Sequence, residues 1–168
     1  MAARTETQVR WMIRRDMPEV MDIERQSFPH PWDDEHLLER LRQRNCIALV
    51  AERSDKVIGF TVYELLKSYL HVLNLAVHPQ YRRQGVGRQI IDKLKSKLLQ
   101  QRRTELRIEV SDENLAAQCF FREMEFKATN IIRGHYDETD SDAYVMRYRL
   151  RSPVVVDKWN RGSLLESE

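Results

Sequence analysis

The chain reads as an α/β fold of about seven strands and about four helices, on three observations. Segments alternating apolar and polar residues, and segments with an apolar stripe every 3.6 residues, follow one another in a fixed order. That order is strand, helix, helix, three strands, helix, strand, helix, two strands. Residues 73–88 join an apolar strand, a turn at Pro79 and a basic loop with two glycines to a long helix, whose Ile90, Ile91, Leu94 and Leu98 share one face. The 168 residues, 42% apolar and 32% charged, suffice for one domain with a sizeable core.

Each element has its own local reason. Residues 1–8 are polar and read as a flexible N-terminus; residues 9–14 alternate and read as a first strand. Asp16 stands as an N-cap, with Glu19 at capping-box spacing and Pro18 in the first turn, ahead of a helix carrying Met17, Val20, Met21 and Ile23. Phe28-Pro29-His30-Pro31-Trp32 ends that helix, because each proline disfavours helical geometry in the residue before it. Asp33 caps a second helix with Leu37, Leu38 and Leu41 as its stripe. Nearby His30, Asp33, Asp34 and His36 match no metal-ligand spacing, so no metal is expected. Residues 46–52 and 57–66 form a hairpin around a polar turn, and Gly59 within it marks a bulge or a close backbone approach. Residues 69–77 are the fourth strand. Residues 103–110 are the fifth, with Leu106, Ile108 and Val110 on one side. A short helix over 114–124 carries Leu115, Cys119, Phe120 and Met124, with Cys119 expected to face the core. Residues 126–133 and 143–150 are the last strands, around a polar and aromatic loop. Residues 151–168 form a C-terminal tail that reads as an extra strand through Val154, Val155 and Val156, or as loose chain.

Composition excludes several classes. A net charge of +2 does not argue for nucleic acid or a membrane surface as partner. No run approaches the roughly 18 apolar residues of a membrane span. Residues 1–8 lack the apolar core of a signal peptide, and Cys46 and Cys119 stand alone. The expectation is a cytoplasmic protein with reduced thiols.

The start of the long helix is the best candidate site. Unpaired N–H groups and the helix dipole favour an anion there. Gly85 and Gly87 leave the backbone open, and Arg82, Arg83 and Arg88 add charge, which suits a pyrophosphate. A tight turn with solvated arginines fits the same residues. No P-loop run is present. A dinucleotide fingerprint, with Glu109 as its ribose ligand, lacks the third glycine, where Ile90 stands.

Arg82-x-x-Gly85-x-Gly87, following Leu73-x-Leu75-Ala76-Val77-x-Pro79, resembles the acetyl-CoA signature of the GNAT N-acetyltransferase superfamily. Within it, the chain is most similar to the bacterial ribosomal-protein-alanine N-acetyltransferases and the catalytic subunits of N-terminal acetyltransferases. The resemblance spans residues 9–150 as one domain. It implies a mixed sheet splayed between the fourth and fifth strands, with acetyl-CoA as cosubstrate in the wedge. On this resemblance the backbone of Leu75, Ala76 and Val77 pairs with the pantetheine arm. The loop Arg82, Arg83, Gln84, Gly85, Val86, Gly87 and Arg88 holds the pyrophosphate, and Asn114 touches the cofactor. Read alone, Asn114 is equally a helix N-cap.

Acetyl transfer needs a neutral amine, a stabilised oxyanion and a departing thiolate. Glu109, within Leu106-x-Ile108-Glu109-Val110, matches the family's glutamate base, and burial among sheet and helices is expected to raise its pKa. On its residues alone it reads first as a surface glutamate paired with Arg107 or Arg103. Phe28 and Trp32, within F-x-x-P-W, resemble the border of the acceptor groove; Tyr136, ahead of Asp142-Ala143-Tyr144-Val145-Met146, resembles the tyrosine lining the peptide groove. Both segments also fit simple packing. One position departs from the family. Phe121 stands beside the cofactor sulfur where the ribosomal-protein-alanine enzymes carry a tyrosine acid, so His71, His135, Tyr136 or a water must protonate the thiolate. The His71 position holds a catalytic tyrosine in some eukaryotic relatives.

The acceptor expected on energetic grounds is a protein or peptide N-terminus. Neutralising an α-amine at pH 7 costs roughly 1.4 kcal/mol, against roughly 4.6 for lysine. A small amine or lysine acceptor, or a CoA-binding module with weak turnover, are the alternatives.

Overall fold

The computed structural model describes residues 6–151. The elements are β1 (Gln8–Trp11), α1 (Met17–Ser27), α2 (Asp34–Leu41), β2 (Cys46–Arg53), β3 (Lys56–Leu65), β4 (Tyr69–Val77), α3 (Val86–Gln100), β5 (Glu105–Ser111), α4 (Leu115–Glu123), β6 (Lys127–Tyr136) and β7 (Ser141–Arg149). Short 3-10 turns precede α1 and follow β4. All seven strands join one sheet in the order β1-β2-β3-β4-β5-β7-β6. Every pairing is antiparallel except β4 with β5.

The splay is visible in the register. β4 pairs with β5 only from Tyr69–Glu105 to Val72–Ile108. Beyond that, Asn74 to Val77 pair only with β3, and Glu109 to Ser111 pair only with β7. The register between β3 and β4 shifts at the same level. Val62 faces Asn74 while Tyr63 faces Val72, which leaves Leu73 as an extra, bulged residue.

Each sheet face is covered by its own helices. Ile91, Leu94 and Leu98 of α3 are fully buried with Leu106, Ile108, Val110, Phe121, Met124 and Phe126. At about 1.5–3 kcal/mol per large apolar side chain, that stripe dominates the docking of α3. On the other face Val20, Met21 and Ile23 of α1 and Leu37 of α2 pack on Val50, Phe60, Val62 and Ala76. The close approach expected at Gly59 is realised: a Cβ there would lie 3.2 Å from the Ala76 carbonyl oxygen, Val86 and Ile90.

Several local expectations are corrected. β1 ends at Trp11, because Ile13 turns the chain into a 3-10 turn. Asp16 does not cap α1. Its carboxylate accepts from the Ile13 N–H at 2.8 Å and from the Arg10 guanidinium at 2.8 and 2.9 Å, while Glu19 accepts from the Val57 N–H. Asp33 does cap α2, accepting from the His36 N–H at 2.8 Å. β6 runs on to Tyr136, three residues beyond the expected end. Cys119 is exposed, as is Leu115 on the same face of α4; Cys46 is the buried thiol. Near the N-terminus, Thr7 accepts from Arg53 and Gln8 opens β1, so those two residues are held. Residues 1–5 and the tail from 152 lie outside the described residues.

Candidate active site

The loop between β4 and α3 owes its shape to two left-handed residues, Arg83 (φ 60°) and Gly85 (φ 81°). Gly85 is the N-cap of α3, and a Cβ built on it would meet nothing within 4 Å. The first bond of the helix runs from the Gln89 N–H to the Gly85 carbonyl. The N–H groups of Val86, Gly87 and Arg88 therefore precede the helical ladder, with no side-chain cap over them. Gly87 has a different reason to be glycine. Its Cβ would stand 3.1 Å from the Phe120 ring, so α4 closes tightly on the start of α3. Arg82 is tied down: it donates to the Val77 carbonyl at 3.0 Å and to the Ser27 hydroxyl at 3.3 Å. Gln84 is held between Arg53 and the Gln80 carbonyl. The side chains of Arg83 and Arg88 are exposed.

From this loop the unpaired edge of Leu75, Ala76 and Val77 leads down the wedge to Leu73 and the last β4–β5 pair. Asn114 stands at the start of α4, just beyond the end of β5, where its side chain accepts from the Ala117 N–H as the N-cap. Phe121 lies on the inner face of α4. It is 4% exposed and packs edge-to-face on Phe126 at 5.2 Å and on Phe120 at 5.0 Å.

Glu109 and His71 meet across the point of separation. His71 Nε2 lies 2.6 Å from Glu109 Oε2, and His71 Nδ1 lies 3.4 Å from Glu64 Oε2. The hydrogen bond to Glu109 is the main reason the His71 pKa is pushed above its ordinary 6.5, with Glu64 adding to it against burial. The expected rise at Glu109 does not occur. Burial pushes its carboxyl up, but the His71 hydrogen bond and charge, helped by a backbone bond and by His135, bring it below 4.5. A neighbouring cation outweighs desolvation here. Tyr136 is the one residue of β6 that is not exposed. Burial, then the charges of Glu109 and Asp112, raise its phenol, which keeps the hydroxyl protonated near neutral pH. His135 stacks edge-on against it at 4.8 Å.

The sequence reading missed Glu24. It is 2% exposed, and its carboxylate accepts from the Trp32 N–H at 2.9 Å and the Asn74 side-chain amide at 2.7 Å. Burial raises its pKa against those two bonds. Glu24 thereby ties the loop holding Phe28 and Trp32 to the bulge on β4. Phe28, Trp32 and Leu73 pack together against the core of that face, and Trp32 stacks on His36 at 4.5 Å. A glutamate on the apolar face of a helix was the available signal. Among the described residues no group of His, Cys, Asp and Glu is arranged to hold a metal ion, and no helix is long and apolar enough to cross a membrane.

A splayed sheet, a glycine loop at a helix start and a carboxylate–imidazole pair at the fork define an acetyltransferase class, and the chain belongs to the acetyltransferase (GNAT) family, whose model matches residues 17–126. Acetyl-CoA is the cosubstrate of this family. The chain is 27% identical over 133 residues to the [Ribosomal protein bS18]-alanine N-acetyltransferase of Escherichia coli K12, covering 78% of this chain and 89% of that protein. It is 24% identical over 144 residues to an N-alpha-acetyltransferase of Saccharolobus solfataricus, covering 78% and 86%. The crystal structure of Arabidopsis thaliana NAA60 in complex with acetyl-CoA superposes with a TM-score of 0.76 at 17% identity, over 86% of this chain and all of that one. At that identity the likeness concerns the fold.

Proposed function

We propose that this protein is an acetyl-CoA-dependent N-acetyltransferase acting on the N-terminal α-amine of a protein in the cytoplasm. The single observation that carries the reading is the Glu109–His71 pair at the mouth of the wedge. The cofactor's pyrophosphate rests on the amides of Val86, Gly87 and Arg88, with Arg83 and Arg88 as outer cations. Its arm lies along Leu75, Ala76 and Val77, and Asn114 borders it from the opposite side.

Glu109 and His71 work as one proton carrier. Glu109, held ionised, is a weak base toward an α-amine of pKa near 8. His71, with its pKa raised, is better matched to that amine. The neutral imidazole takes a proton from the acceptor's ammonium group. The freed lone pair attacks the thioester carbonyl, and the N–C bond forms. The C–S bond then breaks, and the imidazolium, or the Tyr136 hydroxyl near Glu109, returns a proton to the thiolate. The second amine proton leaves through the same pair to solvent. The bulge at Leu73 leaves backbone amide capacity beside the thioester carbonyl, where the oxyanion develops. Phe28 and Trp32, braced by Glu24, form one wall for the acceptor and Tyr136 the other.

Mass spectrometry of peptides incubated with acetyl-CoA tests the reading. An acetyl group on the α-amine, abolished in His71→Gln, supports it. Acetylation confined to lysine side chains or small amines would overturn the choice of acceptor, and coenzyme A binding with no product would overturn the enzyme.

A further inference from the structure

The face of the sheet that carries the Glu109–His71 pair also carries a row of cations. His71 faces Arg107 across β4 and β5, Arg107 faces Arg147 across β5 and β7, and Arg147 faces Lys127 across β7 and β6. Directly opposite residues share a sheet face, so these four side chains stand in line. Like charges placed directly opposite one another destabilise a sheet. The nearest counter-charge is Glu105, a buried carboxylate that pairs with Arg107, lies 3.5 Å from Arg147 and 3.4 Å from Arg149. One anion thus serves three guanidinium groups. Glu64 and Glu109, the carboxylates beside His71 on this face, are engaged by it, with Arg40 also at Glu64. The row therefore keeps a surplus of positive charge.

The guanidinium groups are held rather than loose. Arg107 sits 3.7 Å over the Tyr69 ring. Arg147 donates to the Asn130 side chain at 3.1 Å, and its Nε is buried without a partner. Both stay partly open to solvent, with side chains 27% and 21% exposed. Arg107 lies two residues from Glu109 on the same strand and face, about 7 Å away, and Arg147 is one strand further, about 8 Å from Glu109. An extended acceptor advances roughly 3.3–3.6 Å per residue from its amine. The side chains of its second and third residues fall within that reach.

We infer that this row selects acceptors with an acidic residue at the second or third position, whose carboxylate is bound by Arg107 and Arg147. The inference rests on the N-terminal transfer reading for its geometry. The surplus charge and the fixed, partly open guanidinium groups select an anion over a neutral or basic segment.

The experiment uses three peptides that differ only at residues two and three: Ala-Asp-Asp, Ala-Asn-Asn and Ala-Lys-Lys, each with the same neutral tail. Turnover with acetyl-CoA is measured, and binding is measured separately by fluorescence anisotropy with desulfo-coenzyme A present. The acidic peptide should be favoured over its amide isostere about tenfold in kcat/KM, chiefly through KM, as one charge-assisted contact provides. That preference should shrink as salt is raised. Arg147→Gln should bring the ratio of acidic to neutral peptide toward one. Because Arg147 also serves the buried Glu105, exposed Lys127→Gln is the second variant, and it should lower the ratio without affecting folding. Equal use of all three peptides, or preference for Ala-Lys-Lys, overturns the inference while leaving N-terminal transfer intact. If no peptide is acetylated yet Ala-Asp-Asp binds tightest and Arg147→Gln removes that preference, acid recognition stands and the transfer reading falls. If binding does not discriminate either, both fall.

Discussion

Replacing Glu109 by glutamine tests the proton carrier directly. The hydrogen bond at 2.6 Å to Glu109 is the largest influence raising the His71 pKa. Glutamine keeps the shape and loses the charge, so the His71 pKa falls back toward its ordinary 6.5, held partly up by Glu64 at 3.4 Å. With neutral imidazole as the proton acceptor, wild-type kcat rises with pH through a value above 6.5. In Glu109→Gln the same limb moves to lower pH. The plateau drops by about 10²–10⁴-fold, the usual worth of a positioned acid–base group, because the imidazole loses its orienting partner. The assay is kcat against pH at saturating peptide and acetyl-CoA, with enzyme integrity checked by circular dichroism at each pH. The signs also fix the stability profile. A histidine with a raised folded pKa contributes stability below its unfolded value and loses it as pH rises through the folded one. Wild type should therefore lose more stability than the variant between about pH 6.5 and the upper end of that limb. An unmoved limb in Glu109→Gln would mean that the titrating group is the acceptor amine or another residue, and the His71 assignment would be withdrawn.

Other substitutions follow from single contacts. Gly85→Ala has room for its methyl but not the right backbone, since φ is 81°; it should cost about 1–2 kcal/mol and weaken coenzyme A binding in calorimetry. Leu94→Ala removes a fully buried side chain from the α3 stripe and should cost about 2–5 kcal/mol in urea denaturation. Asp16→Asn removes the charge and one of the two oxygens that accept from Arg10, and should cost about 1–3 kcal/mol. The Arg10 hydrogen bond holds the Asp16 pKa below 3.8, so this stability is present above that value and lost as pH falls through the folded one; the variant's acid-unfolding curve should flatten accordingly. Phe121→Tyr should leave kcat unchanged and lower the melting temperature, because the ring is packed among Phe120 and Phe126; a gain in rate would show that the site lacks a proton donor.

The element order was legible because the apolar spacing is strong where burial is complete. Ile90, Ile91, Leu94 and Leu98 repeat at the helical period, and Leu106, Ile108 and Val110 at the strand period. The glycine loop was legible for a similar reason, since Gly85 occupies a backbone state few other residues adopt comfortably. What the sequence could not reveal were choices between competing partners. Asp16 has the spacing of a cap, yet an arginine six residues upstream and the Ile13 N–H take its oxygens instead. Glu109 was expected to be governed by burial, but a histidine on the neighbouring strand reverses the direction, and that pairing depends on register. Glu24 joins residues fifty positions apart, a bond that no local pattern encodes.

The ladder between the two halves of the sheet is four residue pairs long, from Tyr69–Glu105 to Val72–Ile108. A ligand seated beyond them would act as a strut, bracing one half-sheet against the other. Ligand that binds only the folded chain stabilises it by about 2.7 kcal/mol at a hundred times its dissociation constant. Amide deuteration along Leu73–Val77 and Glu109–Ser111 should therefore slow sharply once coenzyme A is added, while the β2–β3 hairpin, laddered over its length apart from one bulge, changes little. The molecule in this sense lends its cofactor a mechanical duty: the seam is left half-sewn, and the nucleotide finishes it.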